Sequence, residues 1–437
     1  MATYQYPVKE PIAALRVTEP DFEPDLLDKD KQLYVPLDKV RGKKYRTEIF
    51  PQLGILPGQD LIPNESNQYV KIIISGHRGC GKTTELKRIA QELNNPKRYV
   101  AVFFSISDET AYGAFQPEDL FVWIILKVVT ELQERGITAG TESLTKLAKQ
   151  LLSETTLQKE LKSTTQAEVS LEEGINWQWF INFKAVAKGV FGSSSQESKT
   201  IREQVKRNTL AIIDEFNVAL IDIREKIREA GLGHDIVFIV DGPEKLKSDV
   251  YKTLFVTDAH LLQALNMNLI STVPIDAYYN IEGAPTPFTH RYTLPMVRLQ
   301  TNPAANECFR ELVTKRVQED IFFEVGVLDN CIHYSGGCIR QLFHIVNQVI
   351  LTAIGKQPER GHVKATATDL TEVIHDLGQE KYELLTNDHL AILKDGGPYL
   401  PGNPKVREML FQLILLKYNG ESEVNPLLTE YLYPSNG

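Results

Sequence analysis

The period of the hydrophobic pattern changes several times along the chain, and each change marks an element. Residues 70–74, VKIII, form an almost unbroken apolar run, the signature of a strand covered on both faces. Residues 98–107 (RYVAVFFSIS), 236–240 (IVFIV) and 268–274 (NLISTVP) repeat it, and residues 293–299 (TLPMVRL) read as a last core strand. Between these runs the spacing turns helical. Residues 85–93 predict a helix, and residues 117–135 place Leu120, Ile124, Val128 and Leu132 on one face before Gly136 and Gly140 break the pattern. Residues 199–230 predict one long helix with Ile201, Val205, Ile212, Phe216, Ala219, Ile223 and Ile227 near a seam, ended by Gly231. Strands alternating with helices predict an α/β protein built on a parallel sheet.

Other stretches depart from that alternation. The first 65 residues hold Pro20, Pro24, Pro36, Pro51, Pro57 and Pro63 with little periodicity, which predicts an extended N-terminal arm running over the core. Residues 137–233 form an insertion. There Leu144, Leu147, Leu151 and Leu161 recur at roughly helical spacing, while Ile175, Trp177, Trp179, Ile181 and Phe183 alternate at the strand period ahead of a GSSSQES loop at 192–198. Past the sheet, residues 302–318 read as a helix. Residues 327–353 read as two helices joined by the turn SGG at 335–337, with Leu342, Ile345, Val346 and Val349 inward and Arg340 on the second helix. Helical stretches at 389–393 and 405–417, an Asn419-Gly420 turn and residues 424–432 suit a small winged-helix-like or helical module. The expected domains are therefore an arm (1–65), a core (66–300, with the insertion), a helical lid (301–355) and a C-terminal module (356–437).

The chemistry centres on residues 76–84, GHRGCGKTT, which match the phosphate-loop pattern G-x-x-x-x-G-K-[ST] from Gly76 through Gly81, Lys82 and Thr83, with Thr84 beyond. The loop follows an apolar strand and opens a helix, the context the motif needs. Its glycines bring backbone N–H groups close to phosphate oxygens, and the helix N-terminus adds positive potential. Lys82 would reach the β- and γ-phosphates and Thr83 would hold Mg2+. Gly79 adds room for close approach, and Cys80 is small enough to pack beneath the loop. The strand at 236–240 ends in Asp241, which sets a carboxylate at the edge where a Mg2+-bound water would sit, and Glu244 is the candidate to polarise an attacking water. Ser271 or Thr272 falls near the γ-phosphate in the strand order usual for multi-domain ATPases.

Composition narrows the partners. The 437-residue chain is 42% hydrophobic and 24% charged with net charge −9, so nothing global points to nucleic acid or an anionic membrane. The densest basic cluster, KVRGKKYR at 39–46, reads as a solvated turn, with contact to nucleotide, nucleic acid or a neighbouring subunit as the alternative. Cys80, Cys308, Cys331 and Cys338 make no CxxC pair. The segment CIHYSGGC, with His333 between two cysteines, lacks the second ligand pair that zinc needs. A reducing cytoplasm is the expected compartment, with no membrane span.

In order along the chain, the phosphate loop, the Asp241 strand, the Thr272 strand, Arg291 and SGGCIRQL at 335–342 resemble the AAA+ superclass, near its initiator-type and STAND (signal-transducing) branch. The resemblance implies a parallel-sheet P-loop NTPase core of the AAA+/ASCE type with a helical insertion, an α-helical lid and a small C-terminal module. It implies ATP and Mg2+ as cofactors, with Lys82, Thr83 and Asp241 as their ligands, Thr272 as sensor 1 and Arg340 as sensor 2. Arg291 takes the place of the finger that reaches into a neighbour's site. Most relatives of this type carry Glu directly after the strand Asp. Gly242 stands there instead, and Glu244 is the acidic residue a few places on. The leading expectation is an ATP-driven switch that oligomerises and recruits a protein partner, as in bacterial antiviral defence. The alternatives are a DNA-acting ATPase and a scaffold with structural nucleotide.

Overall fold

A computed structural model describes the chain apart from residues 1–3, 27–28, 43, 63–67, 110–111, 138, 140–141, 145, 148–195, 282–287, 289 and 434–437. The Trp177/Trp179 strand, and all but the last residues of the GSSSQES loop, lie outside the described residues.

Five strands form the central sheet: β1 (Lys71–Gly76), β2 (Tyr99–Ser105), β3 (Asp235–Asp241), β4 (Asn268–Val273) and β5 (His290–Leu294), in the order β2-β3-β4-β1-β5. β2 pairs parallel with β3 from Tyr99↔Asp235 to Ser105↔Asp241, and β3 pairs parallel with β4 from Val237↔Asn268 to Val240↔Ser271. Every residue of β1 and β4 is buried, which is why these strands read as continuous apolar runs rather than alternating ones. The one cation in β1, Lys71, is buried too. Its ammonium donates to the Leu265 and Met267 carbonyls at 2.7 and 2.5 Å, and burial pulls its pKa down to about 7. β4 stands between the phosphate-loop strand and the Asp241 strand, so the fold is α/β with a P-loop NTPase core.

The described chain divides into two compact units. One comprises Arg46–Ile74 and Glu85–Tyr292 and contains most of the sheet; the other comprises Met1–Tyr45, Ser75–Thr84 and Thr293–Gly437. In the sheet unit, helices α4 (Pro117–Glu134) and α5 (Gln196–Glu229) contribute to one hydrophobic core with the strands. The predicted faces are the buried ones: Leu120, Ile124, Val128 and Leu132 on α4, and the seam from Ile201 to Ile227 on α5. Trp123 stacks on Phe104 with ring centroids 5.8 Å apart. Arg202 on α5 clamps Asp119 on α4 with two bonds of 2.7 Å, charge against charge in a dry setting. The seam is not one straight helix, because Asn208 leaves helical geometry at φ −118°.

The second unit has its own core, built from α6 (Pro303–Thr314), α7 (Val327–Tyr334), α8 (Ile339–Gly355) and α9 (Ala367–Glu383). The arm contributes to it. Where low periodicity predicts extended chain, Pro11 instead opens helix α1 (Pro11–Thr18), since proline is tolerated at a first turn whose N–H has no helical partner. Asn347 on α8 donates to the Leu15 carbonyl at 2.7 Å, and Val8 exchanges backbone bonds with Arg316 and Gln318 at 2.8 and 3.0 Å.

The end of the chain is α10 (Asn387–Lys394), α11 (Pro404–Phe411) and an antiparallel hairpin of β6 (Leu415–Lys417) and β7 (Ser422–Val424). The helix expected over 405–417 stops at Phe411; Leu413 takes φ +59° in the turn that follows, and residues 415–417 form β6. Likewise the last core strand is His290–Leu294 rather than 293–299, because Pro295 lacks the N–H a continuing ladder requires. Among the described residues no helix is long and apolar enough to cross a membrane.

Candidate functional site

The phosphate loop is bent by two glycines in left-handed geometry, Gly79 at φ +77° and Gly81 at φ +94°, which a side chain would resist. Lys82 opens helix α3 (Lys82–Leu93), and its ammonium donates to the Gly76 and His77 carbonyls at 3.0 and 2.9 Å. Cys80 is fully buried beneath the loop, while Thr83 and Thr84 are half-buried at its exit.

Contacts with three segments remote in sequence hold this loop. Arg41, 4% exposed, donates from Nη2 to the Cys80 carbonyl at 2.5 Å, and its guanidinium nitrogens lie 4.0 Å from where a Cβ on Gly81 would stand. No carboxylate among the described residues pairs with Arg41. Arg340 donates its backbone N–H to the Gly79 carbonyl at 3.2 Å and packs so close that a Cβ on Gly79 would be 2.2 Å from its own. Its guanidinium pairs with exposed Asp21 at 3.0 Å. His77 is fully buried: Nδ1 donates to the Leu410 carbonyl at 3.0 Å, and Nε2 accepts the Lys417 N–H at 2.7 Å. Burial, with Lys82 adding to it, pulls the His77 pKa down to about 3, so the ring is neutral.

The acidic corner belongs to the sheet unit. Asp241 ends β3 and is 2% exposed, and the chain then turns through Gly242 at φ +101° into a short turn carrying Glu244, 6% exposed. Thr272, fully buried on β4, ties the corner together. Its hydroxyl accepts the Gly242 N–H at 3.2 Å and donates to Glu244 Oε2 at 2.5 Å. Glycine at 242 has a local physical reason: a side chain there would sit in the left-handed region, with its Cβ 3.1 Å from the Tyr112 hydroxyl.

Among the described residues no group of three metal-binding side chains assembles. Mg2+ does not need one, since it takes one or two protein oxygens together with phosphates, and the Thr83 hydroxyl and Asp241 carboxylate are hard oxygen donors of that kind. Cys331 and Cys338 are free, buried thiols whose pKa values burial raises, that of Cys331 to about 12. Arg291 lies inside β5, half-buried, rather than before the strand.

Comparison with solved structures finds Cdc6p from Pyrobaculum aerophilum, 12% identical, with a TM-score of 0.37 over 83% of this chain and 70% of that one. It also finds the Aeropyrum pernix Orc1 protein in complex with DNA, 10% identical, with a TM-score of 0.36 over 95% of this chain and 96% of that one. No protein-family model and no curated protein matches the chain. The fold is therefore read from the chain's own strand order and loop.

Two loop-holding residues escape motif reading. Arg41 carries a partial signal, since it lies in the densest basic cluster, but the solvated-turn reading fails for it because its side chain is buried. His77 occupies a variable position of the motif and carries no signal at all.

Proposed function

We propose that the chain is a Mg2+-dependent ATPase of the AAA+ type whose nucleotide state sets its conformation. The observation that carries this reading is one sheet bearing a phosphate loop after β1 and the buried Asp241–Glu244 corner after β3, with β4 between those strands. In this reading the loop amides and Lys82 hold the β- and γ-phosphates, and Arg41 adds a second cation from outside the motif. Thr83 and Asp241 are the residues to hold Mg2+, which when bound neutralises phosphate charge. Glu244 orients the attacking water and takes its proton, and Thr272 fixes the direction of the Glu244 carboxylate. Arg340 moves with the lid in response to the γ-phosphate. Phosphoryl transfer needs this positioning and charge more than covalent chemistry.

The test is turnover of ATP with and without Mg2+ in wild type, Lys82→Ala and Glu244→Gln. Binding lost in the first variant, and turnover lost with binding kept in the second, supports the reading. Equal turnover in all three proteins overturns it, and tight retention of nucleotide without turnover in wild type leaves the scaffold function instead. Assembly is the further part of this reading: Arg291 is proposed to act in trans, and growth of particle mass with a non-hydrolysable ATP analogue should shrink in Arg291→Ala.

A second reading, a DNA-acting ATPase, draws on the C-terminal module. Helices α10 and α11 followed by the β6–β7 hairpin make a helix-helix-wing succession, and α11 carries Lys405 and Arg407. It requires duplex binding that weakens steeply with salt, as released counterions dictate. Absence of binding at low salt excludes it.

A further inference from the structure

We propose that His77 is a positioning residue that couples the C-terminal module to Lys82, so that nucleotide at the phosphate loop and seating of α11 and β6 strengthen each other. The proposal rests on the reading that this loop binds nucleotide. The argument begins with how completely the ring is used. Both nitrogens of a fully buried imidazole are spent on the module, one on the carbonyl of Leu410 in the last turn of α11 and one on the N–H of Lys417 at the end of β6. Because Nε2 accepts, the proton belongs to Nδ1, and the two bonds fix both the tautomer and the plane of the ring.

The same residue faces the phosphate side through its backbone. The His77 carbonyl accepts the Lys82 ammonium at 2.9 Å. A phosphate that draws this ammonium away removes a charge-assisted bond from the peptide that carries the ring, and the ring transmits any resulting turn of that peptide to Leu410 and Lys417. The hairpin end is also tied elsewhere within the same unit. The Lys417 carbonyl accepts the Met296 N–H at 3.0 Å, the Tyr418 hydroxyl donates to the Gly336 carbonyl at 2.7 Å, and Asn419 donates to the Arg41 carbonyl at 3.3 Å. The hairpin end therefore touches the loop, the SGG turn that precedes Arg340, and the segment that carries Arg41. A shift of one is felt by all three, and by linkage whatever holds the module in place alters nucleotide affinity by the same factor.

The experiment is amide hydrogen exchange at Leu415–Lys417, with and without a saturating non-hydrolysable ATP analogue, in wild type, His77→Asn and His77→Gln. Asparagine keeps a donor for Leu410 and loses the acceptor for Lys417; glutamine reaches the Nε2 position and restores an acceptor. The expected result is about tenfold slower exchange at Lys417 with nucleotide in wild type, loss of that difference in His77→Asn, and its recovery in His77→Gln. A merely structural ring would slow or speed exchange equally in both nucleotide states. If both variants fail to fold, Lys417→Pro, which deletes the N–H and leaves the ring, carries the same expectation, read as loss of nucleotide-dependent exchange at Leu415 and Leu416. Nucleotide binding by wild type without a change at Lys417, or a full response in His77→Asn, overturns the coupling alone. Absence of nucleotide binding by wild type overturns the functional reading, and the coupling with it.

Discussion

The phosphate loop and the acidic corner both come from short motifs, yet they are held in opposite ways. The corner is closed locally, by a threonine on the neighbouring strand that meets Gly242 and Glu244. The loop is braced from far along the chain, by Arg41 on one side and by Arg340, Leu410 and Lys417 on the other. The corner borrows the rigidity of a buried parallel sheet, which needs no help. A glycine-rich loop has no such ladder, and the backbone freedom that lets it wrap a phosphate has to be removed by bonds from elsewhere.

The largest test of this contrast is at the corner. Glu244→Gln should lower turnover by about 10² to 10³ while leaving nucleotide binding in place, measured by steady-state phosphate release beside calorimetric affinity. Equal losses in both would mean that Glu244 holds the fold of the corner instead. Next comes Lys82→Ala, which should weaken nucleotide binding by about 100-fold, the worth of a charge-assisted bond to phosphate in a dry setting. Arg41→Met keeps most of the side-chain volume and removes the cation. Nucleotide affinity should fall about tenfold, and unchanged affinity would reduce Arg41 to a brace for the Cys80 carbonyl.

The smallest effect is a pH dependence confined to the loop side. The folded protein holds His77 well below its ordinary value near 6.5, so the unfolded chain binds the extra proton and stability falls as pH drops below that value toward about 3. Between neutral pH and pH of about 6, this component should shift the wild-type folding equilibrium by about threefold relative to His77→Asn, read from urea midpoints. Identical acid slopes in the two proteins would show that the ring is solvated.

Much of this was legible in the sequence for one physical reason: a strand buried on both faces must be apolar throughout, and a helix seam must repeat near 3.6 residues. Ile72, Phe238 and Ile270 announce their strands in this way, and Ile201 to Ile227 announce α5. The places of Lys82 at the start of α3 and of Asp241 at the end of β3 are legible because motif spacing ties them to those elements. The errors arise where backbone geometry decides against composition. Pro11 opens a helix in a segment that looked extended, Leu413 turns the chain out of a helix, and β5 starts at His290 and stops before Pro295, which puts Arg291 within the strand rather than before it. Helix α9 was missed although Leu370, Val373, Ile374 and Leu377 carry its period. The bonds of Arg41 and His77 were not readable, because each ends on a backbone group, and a backbone group has no residue type to recognise.

The bracing of the loop also sets an order of completion during synthesis. A chain growing from its N-terminus makes the motif at residues 76–84 after the Arg41 side is already present, but Leu410 and Lys417 lie 333 and 340 residues beyond His77 and emerge much later. A ribosome-bound chain that stops short of them carries every residue of the phosphate motif and lacks half of what holds it in shape. The motif is thus translated long before its own bracing can be completed.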